Sequence, residues 1–258
     1  MSRLQKLSTN TTPPRREQRR RIGAGIVAAL LAVGLALGVY ARHLGYPSGP
    51  IWRAYTAAGA APRNGTVAVF MSGDMGLNTG MAVGITDRLA RAGMPVIGVN
   101  SLAAFAYRRT PAEIDALVRE ATARALAIPG ARRVVLIGQS FGANALLAGV
   151  GALPAAWRAR VALVALVVPG QTMLRRATPG GAFDIGDDGP ALPAARRLDW
   201  VPVLCVSGAE EDDSLCPGWK QPNVTRAVLP GDHYLHHDAA LVTATLLRRL
   251  ARPAPALA

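Results

Sequence analysis

Lysine is almost absent from this chain: Lys6 and Lys220 are the two, and arginine supplies the rest of its 29 basic residues. Aromatic residues make up only 5% of it, and no basic stripe is interleaved with them, which argues against nucleic-acid binding. Cysteine occurs twice and histidine four times, with no spaced set of Cys or Asp partners, so the sequence carries no metal site and calls for no cofactor. No internal repeat recurs along the 258 residues. One domain of roughly 200 residues behind a short N-terminal appendage is therefore expected. Half of the residues are hydrophobic, ample for a core, and the formal net charge is +13. Seven of the 29 basic residues fall within the first 21 positions, against Glu17 alone. The other 22 basic and 15 acidic residues are thinly spread, a surface that suits an anionic membrane face.

Residues 1–14 are polar, contain Pro13-Pro14 and read as disordered; the cluster Arg15 to Arg21 completes a basic tail over 1–21. Residues 22–40 then run for nineteen positions without a charge, long enough to cross a hydrocarbon core. The flanking arginines put the N-terminus in the cytoplasm and the following domain outside it. An uncleaved signal anchor is the first reading, because the run is longer than a usual h-region and no A-x-A site follows; a cleaved signal peptide is the second. Residues 41–64, with Gly and Pro scattered through them, read as a linker, 65–252 as the folded domain and 253–258 as a tail.

Within the domain, apolar runs at 66–71, 95–99, 134–137, 161–168, 201–206 and 224–229 read as strands. Helices are expected over 81–92, capped by Gly93, from Thr110-Pro111-Ala112-Glu113 to about residue 128, over 143–153 and over 239–250. This alternation gives an α/β fold, a doubly wound and mostly parallel sheet of about six strands, whose sites form at the carboxyl ends of strands. Residues 171–199 break the rhythm with Pro179-Gly180-Gly181 and Gly186-Asp187-Asp188-Gly189-Pro190. That insertion reads either as a lid or binding loop or as a solvated connection.

The strand at 134–137 ends on Gly138-x-Ser140-x-Gly142, and a helix follows. Strand, G-x-S-x-G and helix together are the context of a nucleophile elbow, with Ser140 held above the sheet on a strained turn. A serine nucleophile needs a base and an acid, in the chain order Ser, Asp or Glu, His. His233 stands just beyond the last strand and is the expected base; His236 and His237 are expected to face solvent. The acid lies in Glu210-Glu211-Asp212-Asp213, after the strand at 201–206. Asp213, at the exit of that run, is the first choice and Asp212 the second. Glu210, Glu211 and Asp212 are left either as solvated charges or as a seat for a cationic group on the substrate. Cys205 and Cys216 bracket the run, and read as a disulfide pinning it or as two buried thiols. The backbone N–H groups of Phe141 and of Gly73 or Asp74 are placed for an oxyanion hole.

These residues sit in a wider set of motifs: Ser72-Gly73-Asp74-x-Gly76, Val96-Ile97-Gly98-Val99-Asn100-Ser101-Leu102, Arg109-Thr110-Pro111, Val135-Leu136-Ile137-Gly138-x-Ser140-Phe141-Gly142-Ala143, Gly208-x-Glu210-x-x-Asp213-Ser214-Leu215-Cys216-Pro217 and Leu229-Pro230-Gly231-x-His233. In that order, over about 66–250, the chain resembles the bacterial AcvB/VirJ virulence-protein family. The resemblance implies an α/β-hydrolase fold exported to the periplasm, which with the N-terminal segment gives a domain held at the bacterial inner membrane or released from it, and Ser140, Asp213 and His233 as the catalytic set. It also implies hydrolysis of aminoacylated phosphatidylglycerol, notably the lysyl form, with a membrane phospholipid as the partner, and a link to virulence and type IV secretion. Departures from the family pattern are Met75 and Leu77 in the first loop, Gln139 and Asn144 around the elbow, and Tyr234 after the histidine. A serine esterase or peptidase with another envelope substrate, and a non-catalytic binding protein on the same fold, are the alternatives.

Overall fold

The computed structural model describes residues 15–56, 61–184 and 186–252. The expectations of disorder at 1–14 and of a tail at 253–258 fall outside those residues. The chain divides into two units, Met1–Tyr40 and Ala41–Ala258. Helix α1 (Arg15–Leu44) contains a stretch, Arg19–Leu44, whose best 18-residue window has a mean hydropathy of 2.5. Length and composition suffice to cross a membrane, and a signal sequence has the same character. Its large apolar side chains, such as Leu31 and Leu35, are exposed.

The expected linker at 41–64 is in part structured. Residues Ala41–Leu44 continue α1 and belong to the second unit, where Leu44 is fully buried. Asn100 Nδ2 donates to the Leu44 carbonyl at 2.9 Å, and Asn78 Nδ2 to that of His43. Residues Trp52–Tyr55 form β1, an antiparallel edge strand paired with β3. Trp52 and Tyr55 are half-buried, Arg53 and Ala54 are exposed and no apolar run appears, so nothing in their pattern separated them from a loop.

The other strands are β2 (Thr66–Met71), β3 (Val96–Val99), β4 (Arg133–Gln139), β5 (Val161–Val167), β6 (Val203–Gly208) and β7 (Val224–Leu229). They pair in parallel, in the order β1-β3-β2-β4-β5-β6-β7, making seven strands where about six were expected. The helices after α1 are α2 (Gly80–Arg91), α3 (Ser101–Ala104), α4 (Pro111–Leu126), α5 (Phe141–Gly149), α6 (Ala155–Arg158), α7 (Leu192–Ala195) and α8 (Ala239–Ala251). Helix α4 begins as the sequence signals: the Thr110 hydroxyl accepts from the Glu113 N–H, the Glu113 carboxylate accepts from the Thr110 N–H, and Pro111 follows the cap.

The pleat splits each buried strand between two cores. Val134 and Leu136 point with Ile114, Val118 and Leu146 to the side of α4 and α5. Val135 and Ile137 point with Ile85, Leu89, Val242 and Leu246 to the side of α2 and α8. Central strands covered on both faces fix the register, and with it the height at which each strand delivers its last residue.

Candidate active site

Those last residues carry the chemistry. Ser140 follows β4 with φ 52° and ψ −123°, a conformation that L-residues rarely hold, and it caps α5. The flanking glycines are there for space. A Cβ on Gly142 would run into the Ser72 and Met71 carbonyl oxygens, and one on Gly138 would lie 2.5 Å from the Ala143 Cα. The Ser140 N–H donates to the Val167 carbonyl at 2.8 Å, tying the elbow to β5. Phe141 opens α5, so its N–H has no carbonyl one turn back within the helix and is left as a spare donor, one residue on from Ser140.

Ser140 Oγ lies 2.8 Å from His233 Nε2, and His233 Nδ1 lies 2.6 Å from Glu211 Oε1. With a carboxylate accepting from Nδ1, the unprotonated nitrogen is Nε2, which accepts the serine proton. The carboxylate on the imidazole is thus Glu211, where Asp213 was expected first and Asp212 second. Strand β6 runs two residues further than its apolar run, to Gly208, and turns sharply: the Glu211 N–H donates to the Gly208 carbonyl. This folds the Glu211 side chain back over the strand end, where it is 2% exposed and its Oε2 accepts from the Gly208 N–H at 3.1 Å. Asp212 and Asp213 come after the turn and are exposed, Asp213 beside Gly170 on the far side of the loop. Glu210 is exposed as well. Of the three residues left as solvated charges or a cation seat, Glu211 is neither.

The Cys205–Cys216 pair is a disulfide, with Cα atoms 5.6 Å apart, so the thiol alternative is set aside. It closes the loop that carries Glu211. The same loop is held from outside by the Leu215 N–H on the Pro169 carbonyl and a bridge between Gly170 and Ser214. Asn144, not singled out as a site residue, holds the other side of that bridge. Its Nδ2 donates to the Gly170 and Thr172 carbonyls at 2.9 and 2.7 Å, and its Oδ1 accepts from the Gly170 N–H at 3.0 Å.

On the remaining side is the loop after β2. Ser72 is fully buried; its hydroxyl donates to the Gly73 carbonyl and accepts from the Ser101 N–H, both at 3.0 Å. Gly73 faces the nucleophile so closely that a Cβ would stand 3.4 Å from Ser140 Cβ. Asp74 is next, and burial pushes its carboxyl above the usual range; Asp184 nearby adds to that, while His233 opposes it. The hydrogen bond to Glu211 raises the His233 pKa; burial works against this, and the charges of Glu211, Asp74 and Asp232 add to it.

A cavity of about 290 Å³ opens over Ser140 and His233, walled by Gly73 to Gly76, Gln139, Gly180, Tyr234 and His237. The insertion at 171–199 therefore contributes a wall through Gly180. It is tied down at one point, where the buried Asp188 carboxylate takes Arg175 Nη2 at 2.7 Å and pairs with Arg108. Its Asp184 carboxylate and that of Asp74 both approach Gly181. His237, expected to face solvent, is exposed yet lines the cavity rim. Gln139 Oε1 is buried with no hydrogen-bond donor. Among the described residues no group of three or more His, Cys, Asp and Glu side chains is disposed to hold a metal ion.

The family model described as bacterial virulence protein (VirJ) matches residues 65–254. By sequence, no curated protein matches the chain. Among solved structures, it is similar to the esterase domain of a Rhodothermus marinus protein, at 18% identity and a TM-score of 0.53, covering 76% of this chain and 89% of that one. It is similar to proline iminopeptidase of Mycobacterium smegmatis at 14% identity and a TM-score of 0.54, covering 77% and 93%. An alpha-beta serine hydrolase homologue from Coxiella burnetii gives 15% identity and a TM-score of 0.51, covering 78% and 91%. At such identities these likenesses bear on the fold, which is that of the α/β-hydrolases.

Proposed function

The chain belongs to the VirJ family of bacterial virulence proteins, and from that premise we propose that it is a periplasm-facing serine hydrolase of aminoacylated phosphatidylglycerol. The observation that carries this reading is the relay Ser140–His233–Glu211, with contacts of 2.8 and 2.6 Å, at the floor of a cavity whose acid, among its described lining residues, is the half-buried Asp74. Ser140 Oγ attacks the ester carbonyl as His233 Nε2 takes its proton, and Glu211 steadies the imidazolium. The oxyanion forms against the N–H groups of Phe141 and of Gly73 or Asp74. His233 then protonates the departing lipid alcohol, and water releases the amino acid by the same steps in reverse.

An aminoacyl ester brings an ammonium group within a few ångströms of its carbonyl. Asp74, with Asp184 nearby, supports a cationic group at that distance. This replaces the run Glu210-Glu211-Asp212 as the seat of the cation. The apolar length of α1 supports a substrate in the membrane, and the exposed ring of Tyr234 on the cavity rim supports a lipid approaching from that side.

The test pairs a fluorophosphonate probe with lipid hydrolysis by the full chain in detergent. Wild type is labelled and frees an amino acid from aminoacyl-phosphatidylglycerol vesicles; Ser140→Ala does neither while keeping its melting curve. A wild-type protein that resists the probe would sink the hydrolase reading. Labelling without release of amino acid would leave the esterase and remove the substrate.

A further inference from the structure

A second cavity, larger than the one over Ser140, lies elsewhere. It measures about 400 Å³ and lies at the amino ends of the strands, between the starts of β2 and β4 and the last turn of α8, on the opposite edge of the sheet from Ser140. Four arginines line it: Arg63 before β2, Arg133 at the start of β4, and Arg249 and Arg252 at the end of α8. No acidic residue is among its described lining residues, and none of the four pairs with a carboxylate among the described residues.

Arg249 is the informative one. It is 7% exposed, and its Nε and Nη2 are buried without any acceptor. Arginine in the last turn of a helix is ordinarily explained by the helix dipole, with the guanidinium on the final carbonyls. Here those nitrogens reach no carbonyl. A guanidinium taken from water without partners is costly, and burial, with Arg252 nearby, already depresses the Arg249 pKa. Arg133 reaches the Thr66 hydroxyl through Nη2 at 3.3 Å, which fixes a second fork in the same wall. Convergent guanidinium forks in a concave site match the tetrahedral, multiply charged oxygens of a phosphoryl group better than the flat edge of one carboxylate, and the volume leaves room for its substituent.

We propose that this cavity is a phosphoryl-anion site, with Arg249 as its buried donor and Arg63, Arg133 and Arg252 around it. It is separate from the hydrolytic site and does not depend on the function proposed for that site. The phosphoryl group belongs either to a lipid headgroup or to a free phosphate ester.

The experiment uses the full chain in non-ionic detergent, with inorganic phosphate and glycerol phosphate titrated against chloride at equal ionic strength. Either anion raises the wild-type melting temperature, by roughly 5–10 °C at a hundredfold excess over its dissociation constant. The increase is lost in Arg249→Met and reduced at least several-fold in Arg63→Gln, a change at an exposed side chain. Flotation with vesicles of phosphatidylcholine alone or with phosphatidylglycerol then separates the sources. Weaker binding of Arg249→Met to the anionic vesicles, with competition by glycerol phosphate, assigns the site to a lipid headgroup. Unchanged vesicle binding beside a lost phosphate shift assigns it to a soluble ester. A melting temperature that phosphate moves no more than chloride, or that moves equally in Arg249→Met and wild type, overturns the proposal.

Discussion

Glu211 and Asp213 stand two positions apart in one acidic run, and the turn after β6 gives them different tasks. Glu211 holds the His233 Nδ1–H while its other oxygen is taken by the Gly208 N–H; Asp213 is exposed beside Gly170. Glu211→Gln keeps the shape and removes the charge, so kcat on an activated ester is expected to fall by roughly 10³–10⁴, the scale set by an uncharged partner for a triad histidine. Asp213→Asn is expected to stay within about threefold of wild type, since an exposed charge makes little difference when lost. Equal losses in the two variants would move the acid back to Asp213. The same contact sets a pH dependence. The base must be neutral, and Glu211 raises the His233 pKa, so kcat/KM is lost as pH falls through that raised value. In Glu211→Gln that acid limb shifts to lower pH; a limb that stays put would mean that another group titrates. The nucleophile and base were legible because each needs only a strand end and a neighbouring residue type. The acid was not, because four carboxylates in a row differ only in how the backbone turns beneath them.

The disulfide belongs to the scale of elements, since it links β6 to the loop that returns from it. Cys205 lies within the strand and Cys216 beyond the loop, so the bridge closes a span that contains Glu211. Closing so short a span stabilises by roughly 2–3 kcal/mol in the chain-entropy account. The double variant Cys205→Ala/Cys216→Ala is expected to melt several degrees lower and to lose kcat more than KM, because the acid loses its fixed position while the cavity walls remain. A variant with unchanged kcat would show that the Gly208 and Leu215 backbone contacts alone hold the loop. The parallel strands were legible for a simple reason: strands covered on both faces must be apolar throughout, as in Val161–Val167, and little else in a chain reads that way. Strand β1 escaped because a short edge strand with none of its residues fully buried needs no such run. Which of the two readings of the insertion holds was not legible for a different reason. Its anchor, Asp188, works through arginines at 108 and 175 that no local pattern connects.

At the scale of the whole molecule, the sign of the charge is at odds with the site. The chain carries a formal +13, yet among the described residues lining the cavity over Ser140 the acid is Asp74, with Asp184 close enough to act on it, and no Lys or Arg is present. A basic body draws the protein toward anionic lipid, and it would repel a cationic substrate group unless the cavity reversed the field locally. The sequence made the first half legible through the arginines and the apolar segment of α1, and hid the second, because Asp74 and Asp184 are separated by more than a hundred residues. If Asp74 provides that reversal, Asp74→Asn raises KM for a lysyl ester about tenfold, the worth of one charge contact at intermediate dielectric. It leaves a neutral acyl ester of the same alcohol unchanged, since the Gly73–Asp74 backbone N–H groups are kept. Burial holds the Asp74 carboxyl above its usual range, so in wild type the preference for the cationic ester fades as pH falls through that raised value and the acid becomes neutral. The variant's preference is flat over the same interval. Competition between the two esters, followed by mass spectrometry across that interval, measures the ratio directly. A ratio that tracks pH equally in both proteins would place cation recognition elsewhere than Asp74.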